Sequence, residues 1–317
     1  MVRSRSWAAP ASCDLGGLDS FSTFSRLARD ANVLHYHFPW PFADLLHAFA
    51  GSDHPSVMTY HSDIVRQRWL GKAYAPLMWR TLRQMRAIIA TSPAYRATSP
   101  VLSHPYIRDK VRVIPLGIVE DSYPKAQDIA IFDRLRMSSA EPFFLFIGVL
   151  RYYKGVHFLV RAALGLGAKL VIAGSGPEGK ALQNLGKEIG ADNVIFAGQI
   201  TDAEKVALLQ RCRALVLPSH LRSEAFGMVL VEAAMFGRPL ISCEIGTGTS
   251  YVNDHEVTGF VVEPESPDKL RWAMKTLLDE EQLAAKMGVA SRNRYDQLFS
   301  GPALGRAYAD VFREVCD

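Results

Sequence analysis

Residues 219–239 read S-H-L-R-S-E-A-F-G-M-V-L-V-E-A-A-M-F-G-R-P. Directly before them, residues 214–217 form an apolar run of strand length, the pattern of a buried strand. From 227 to 236 the spacing predicts a helix, closed by Gly237 and stopped by Pro239. That helix is apolar on every side except at Glu232, so it belongs inside the fold and its carboxylate needs a hydrogen-bonding partner. Glu224 stands eight residues earlier, and the peptide N–H groups of Ala225, Phe226 and Gly227 lie between the two acids. Free N–H groups at a helix start are a ready phosphate site. Two carboxylates flanking such a turn suit a sugar nucleotide, one taking sugar hydroxyls and the other ribose hydroxyls. The structural alternative leaves Glu224 solvated and pairs Glu232 with a core arginine.

Strand, turn and helix recur outward from this segment. Strands are expected at 143–147, 169–173, 193–196, 240–243 and 259–262, with helices between them. Upstream, strands at 32–37, 56–60, 87–90 and 111–114 alternate with helices in the same way. Alternation of this kind implies parallel sheets covered on both faces. Residues 119–140 are polar, carry Pro124 and read as a domain boundary. The expected architecture is α/β with two facing Rossmann-like domains: 1–120, 121–300, and a C-terminal helix over 301–317 packing back on the first. Glycine-rich turns after the strand ends place ligand at the carboxyl edge of the sheet.

Composition sets bounds. A chain of 317 residues, 49% hydrophobic and 21% charged, is an ordinary globular protein with room for two domains. A net charge of +4 argues against a dedicated nucleic-acid binder. Cys13, Cys212, Cys243 and Cys316 are scattered without metal-ligand spacing and read as reduced cytoplasmic thiols. No stretch reaches the about 20 apolar residues of a membrane span.

The pattern E-A-F-G-(x4)-E-A, with seven residues between the acids, resembles the signature of the family-4 (group 1) retaining glycosyltransferases of the GT-B fold. The likeness extends to G-V-L-R-Y-Y-K-G at 148–155, similar to that family's G-R-L-x-x-x-K-G donor motif. Val149 stands where many members carry arginine, so that role does not transfer; Arg151 is the substitute and Lys154 matches squarely. Two cations there can neutralise a departing diphosphate. The resemblance implies Glu232 on the ribose, Glu224 on the transferred sugar, and Gly174 and Gly176 of the G-S-G-P turn near the base. The E-I-G-T-G-T segment at 244–249 reads equally as cleft lining or as a plain loop.

His61, in T-Y-H-S-D, matches a histidine that reaches the transferred sugar in the family. His35 and His37 are assigned to opposite faces of their strand, one in the core and one on the cleft. His37 and Asp63 are placed on the acceptor side. No D-x-D occurs, so no metal and no other cofactor is expected, and protein cations take that part. Between Ile64 and Arg86 six basic residues (Arg66, Arg68, Lys72, Arg80, Arg83, Arg86) interleave with Trp69, Leu70, Tyr74, Leu77, Met78 and Trp79. That is either a surface helix on an anionic membrane or a packed helix with a solvated basic side.

Y-H-S-D-I-V-R-Q, A-T-S-P-A-Y and V-I-P-L-G-I look most like exopolysaccharide mannosyltransferases. The likeness runs from about Val33 to Val315, and residues 1–30 do not fit the family's opening strand, glycine-rich loop and helix. A first domain lacking one or two strands is therefore expected, from a late start codon or a degraded copy. The implied activity is transfer of a hexose, mannose first, from a nucleoside diphosphate sugar to a lipid-linked or oligosaccharide acceptor, in the cytoplasm or at the inner face of its membrane. The rivals are a non-catalytic sugar-nucleotide-binding remnant and an epimerase or phosphorylase of the same fold.

Overall fold

A computed structural model describes residues 6–8, 15–51, 53–64, 68–138 and 140–317. The chain divides into two compact units, Met1–Pro115 with Gly305–Asp317, and Leu116–Leu304.

In the first unit β1 (Ser6–Ala8) pairs antiparallel with β2 (Leu15–Gly16), ahead of a helix at Asp19–Arg29. The main sheet runs β3 (Leu34–Phe38), β4 (Ser56–Tyr60), β5 (Ala87–Ala90), β6 (Val111–Val113), all parallel and in sequence order. β4 and β5 are buried at every residue, as a parallel sheet covered on both faces requires; β5 reads as a solid apolar run, while β4 carries the buried hydroxyls of Ser56 and Thr59. β3 alternates: Leu34, Tyr36 and Phe38 are buried in the core, whereas His35 and His37 share the opposite, partly covered face. This corrects the assignment of the two histidines to opposite faces. A pleated strand has a side-chain period of two, so residues two apart share a face.

The last helix, Gly301–Cys316, sets Val311 and Val315 against Val57, Ala87, Ile89 and Ile114. Arg86 Nη1 donates to the Val315 carbonyl at 2.6 Å, and Arg112 pairs with Glu314 at 2.5 Å. The basic helix is Arg68–Gln84. Arg66 lies outside the described residues, as do the side chains of Arg68, Trp69 and Leu70. Met78 is buried in the core, Tyr74 packs against that core and donates to Asp44, and Lys72, Arg80 and Arg83 are exposed. Its described aromatic side therefore faces inward. Among the described residues no helix is long and apolar enough to cross a membrane.

The second unit carries β7 (Phe143–Ile147), β8 (Lys169–Ala173), β9 (Val194–Gly198), β10 (Ala214–Leu217), β11 (Leu240–Cys243) and β12 (Gly259–Val262). All are parallel, in the order β12-β11-β10-β7-β8-β9. The chain thus starts at the centre, winds out to β9, returns to β10 and winds out to β12. Strand order reverses between β7 and β10, and in open α/β sheets ligands bind in the crevice beyond the carboxyl ends at such a point. Residues 119–140 belong to this unit, with Ile131 and Phe132 in its core. The helix after β10 is Met228–Met235, entered through Gly227 at φ 84 and followed by Gly237 at φ 64. Cys212 and Cys243 are buried free thiols, pushed up to about 12 by burial, while Cys13 lies outside the described residues.

Candidate functional site

At the reversal point the turn after β7 and the turn after β10 lie backbone against backbone. Gly155 has φ 65, and a Cβ there would stand 2.1 Å from the Pro218 carbonyl oxygen, so only glycine lets the turns meet. The His220 N–H donates to the Tyr153 carbonyl at 3.1 Å across the same seam. This contact sets Lys154 beside Glu224: its ammonium donates to Glu224 Oε2, which also accepts from Ser219 Oγ at 3.2 Å. The two charged side chains are only 13% and 11% exposed. The turn after β11 closes over the segment, with Thr247 Oγ1 donating to the Glu224 carbonyl at 2.8 Å and Gly248 N–H to the Ala225 carbonyl at 2.9 Å. Residues 244–249 are therefore the clasp that fixes Glu224 and Ala225.

Because the helix starts at Met228, Ala225, Phe226 and Gly227 form the turn leading into it. The Arg151 side chain is exposed and makes no hydrogen bond or ion pair among the described residues, while its N–H donates to the Val149 carbonyl at 2.9 Å and Val149 is 52% exposed. Gly174 and Gly176 support the β7 turn from beneath. A Cβ on Gly174 would lie 2.0 Å from the Gly148 carbonyl oxygen, one on Gly176 2.5 Å from that of Leu150, and Leu150 N–H donates to Ser175 O at 2.9 Å.

Glu232 has its own partners. Its Oε1 accepts from Tyr123 Oη at 2.5 Å and Lys205 Nζ at 3.1 Å, and Lys205 also lies 3.3 Å from Asp202. Burial depresses the Lys205 ammonium, but Glu232 and then Asp202 outweigh it and hold the lysine above its ordinary range. Burial and the Glu232 carboxylate push the Tyr123 phenol up. Both acids share one property: among the described residues Glu224 Oε1 and Glu232 Oε2 accept no hydrogen bond, so each offers one oxygen to a ligand.

In the first unit His37 Nδ1 and His61 Nε2 are 2.8 Å apart with their rings stacked, and the His35 ring centroid lies 4.7 Å from that of His37. His35 Nε2 also meets Thr59 Oγ1 at 2.8 Å, which meets Tyr308 Oη at 2.9 Å. Burial lowers all three imidazoles; the neighbouring rings lower His35 further, to about 4, and His37 lowers His61. At neutral pH the trio is uncharged, and His61 can exchange hydrogen bonds with a hydroxyl. Asp63 Oδ1 accepts from Tyr60 at 3.0 Å and Ser99 at 2.6 Å, and its N–H donates to Tyr95 Oη at 2.6 Å, so Asp63 anchors the turn after β4.

Sequence reasoning missed Tyr123, Lys205 and Ser219, and placed Thr247 only within a segment that could line the cleft or be a plain loop. Tyr123 sits in a stretch read as linker, and Lys205 is an ordinary charge on a surface-patterned helix. Only the demand that the Glu232 carboxylate find a partner in its apolar helix pointed toward Tyr123 and Lys205, and the partner weighed for it was a core arginine. Among the described residues no cluster of three His, Cys, Asp or Glu side chains could hold a metal ion.

Two parallel-sheet α/β units, the second with its strand order reversing between β7 and β10, define the GT-B class of fold, and solved structures agree. Sucrose-phosphate synthase from Thermosynechococcus elongatus matches with a TM-score of 0.74 at 21% identity, over 98% of this chain and 82% of that one. Anabaena Alr3699/HepE in complex with UDP matches with a TM-score of 0.76 at 19% identity, over 93% and 82%. The family model for Glycosyl transferases group 1 covers residues 128–294, and that for Glycosyltransferase Family 4 covers residues 5–122. The chain belongs to this glycosyltransferase family. The second match begins at residue 5, so the family likeness reaches well upstream of Val33, where it was expected to start. Among relatives, the D-rhamnosyltransferase WbpZ of Pseudomonas aeruginosa is 50% identical over 283 residues, 89% of this chain and 74% of that protein. The O-antigen chain mannosyltransferase C of Escherichia coli is 42% identical over 301 residues, 95% and 80%.

Proposed function

We propose that this glycosyltransferase moves a manno-configured hexose, with retention, from a nucleoside diphosphate sugar to a lipid-linked or oligosaccharide acceptor in O-antigen-type polysaccharide synthesis. The observation that carries the donor half is the Lys154–Glu224 pair at the reversal point, beside Arg151 and the Ala225–Gly227 turn. Lys154 and Arg151 neutralise the diphosphate without a metal, Glu224 Oε1 takes sugar hydroxyls, and Glu232 Oε2 takes the ribose. The sugar follows from the two relatives, one a mannosyltransferase and one a transferase of D-rhamnose, which is 6-deoxymannose.

In this reading the bond from C1 to the phosphate oxygen breaks as the acceptor oxygen bonds to C1 on the same face. The acceptor proton passes to the leaving diphosphate, and the neutral His61 steadies the sugar. Work at the cytoplasmic face of a membrane fits a lipid-carried acceptor, with exposed Lys72, Arg80 and Arg83 meeting anionic headgroups. The test is transfer from GDP-mannose, with UDP-glucose as the control donor, to a lipid-linked oligosaccharide, reading the new anomeric centre by NMR. An α-linked product from an α-linked donor is expected. Inversion, or hydrolysis without transfer, would overturn the assignment.

A further inference from the structure

Around Glu232 the second unit holds two side chains, Tyr123 and Lys205, to which the transfer reaction gives no part. Tyr123 comes from the stretch ahead of β7, Lys205 from the helix Asp202–Leu209, and Glu232 from the helix Met228–Met235. Tyr123 Oη and Lys205 Nζ both donate to the same oxygen, Glu232 Oε1, at 2.5 Å and 3.1 Å. The Lys205 ammonium also lies 4.8 Å from the centre of the Tyr123 ring, and Asp202 holds it from the other side at 3.3 Å. The two donors are thus braced against each other as well as against the acid.

A glutamate needs no such arrangement merely to be tolerated at this position. The side chain is 16% exposed, and one lysine would balance its charge. What two donors on one oxygen add is orientation. The last torsion of a glutamate is broad and nearly two-fold, so a carboxylate held at one point still swings. Two donors arriving from separate elements fix its plane and leave Oε2 as the oxygen open to a ligand. A site built around fixed hydrogen-bond acceptors for hydroxyls rejects analogues lacking those hydroxyls more strongly than an apolar pocket rejects a missing methylene.

We infer that Tyr123 and Lys205 are positioning residues that aim Glu232 Oε2 at the ribose hydroxyls, so that together they set the preference for ribonucleotides over deoxynucleotides. The inference rests on the assignment of Glu232 to the ribose. Neither residue is expected to touch the nucleotide. Their effect passes through the carboxylate.

The test is a binding cycle by calorimetry on the full chain. UDP, GDP and ADP are each compared with their 2′,3′-dideoxy counterparts, on wild type, Tyr123→Phe and Lys205→Gln. Wild type should bind its preferred nucleoside diphosphate at least about 10-fold tighter than the dideoxy form, the value of one hydrogen bond to a charged group. Each variant should lose about 5- to 10-fold in ribonucleotide affinity and less than about 2-fold in dideoxy affinity, shrinking the ratio. Equal losses for both ligands in both variants would show that the pair only supports the fold, and would refute the positioning role while leaving Glu232 on the ribose. No preference for the ribonucleotide in wild type would instead remove Glu232 from the ribose, and the positioning role with it. Should Tyr123→Phe melt early and fail to bind, Lys205→Gln alone decides, because that residue is partly exposed and its removal spares the core.

Discussion

Replacing Lys154 by methionine tests whether the seam between the β7 and β10 turns is held by charge. The lysine and Glu224 are 13% and 11% exposed, so the pair is nearly withdrawn from water. Removing one partner of such a pair leaves the other charge buried and costs about 3–5 kcal/mol. Ser219 Oγ still donates to Glu224 Oε2, which places the cost near the lower end. At about 2–4 °C per kcal/mol for a domain of this size, a loss of about 3 kcal/mol lowers the melting temperature by about 6–12 °C. Glu224→Gln should cost less, about 1–2 kcal/mol, because a long lysine stem can carry its ammonium toward water. The double variant should recover part of the loss, with a coupling energy of about 2 kcal/mol between the sites. The assay is thermal denaturation of all four proteins, following the transition of the second unit, since two units need not melt together. Single losses that add to within about 0.5 kcal/mol would show that the pair is incidental and that backbone contacts alone hold the seam.

Two further expectations concern protons. Asp44 is buried, and burial pushes its carboxyl up to about 7, so the folded first unit favours the protonated acid. The stability this contributes is full below the unfolded value of 3.8 and is lost as pH rises through 7; Asp44→Asn should therefore flatten the decline in melting temperature between pH 5 and pH 8. If the variant keeps the wild-type slope, another group titrates there. In the histidine trio, His37→Gln removes the one neighbouring ring that, after burial, disfavours protonation of His61. The acid limb of the transferase pH profile should move to higher pH, though only partly, because burial is the larger cause. An unmoved limb would show that His61 does not govern it.

Most of the strand frame was legible because parallel strands buried on both faces read as unbroken apolar runs; the expected 143–147, 169–173, 214–217, 240–243 and 259–262 all coincide with observed strands. The turn proposed for the donor drew notice in the sequence through the spacing of Glu224 and Glu232 and through Lys154, and the structure sets Lys154 beside Glu224. What joins these residues was not, because Gly155 against Pro218, Thr247 on Glu224 and Tyr123 on Glu232 are contacts between segments distant in sequence. The error over His35 and His37 was one of arithmetic on a period of two, and correcting it exposes the trio with His61. Asp63 illustrates the opposite limit: an acid beside a candidate histidine reads as chemistry, yet its carboxylate accepts from the hydroxyls of Tyr60 and Ser99. The basic helix divides the same way. Its aromatic residues read equally well as membrane anchors, and only packing shows Tyr74 and Met78 turned to the core.

The claim on which the account rests is that the reversal point of the second unit is a nucleotide-sugar site with Glu232 on the ribose. A thermal-shift panel of UDP, GDP and ADP with their sugar conjugates, on wild type and Glu232→Ala, tests it most directly. A ligand at about 100 times its dissociation constant adds about 2.7 kcal/mol, well within reach of the measurement. Stabilisation of wild type by one nucleotide and its conjugate, lost in the variant, is the predicted result. A wild-type protein that responds to none of them, or a variant that responds equally, would contradict it.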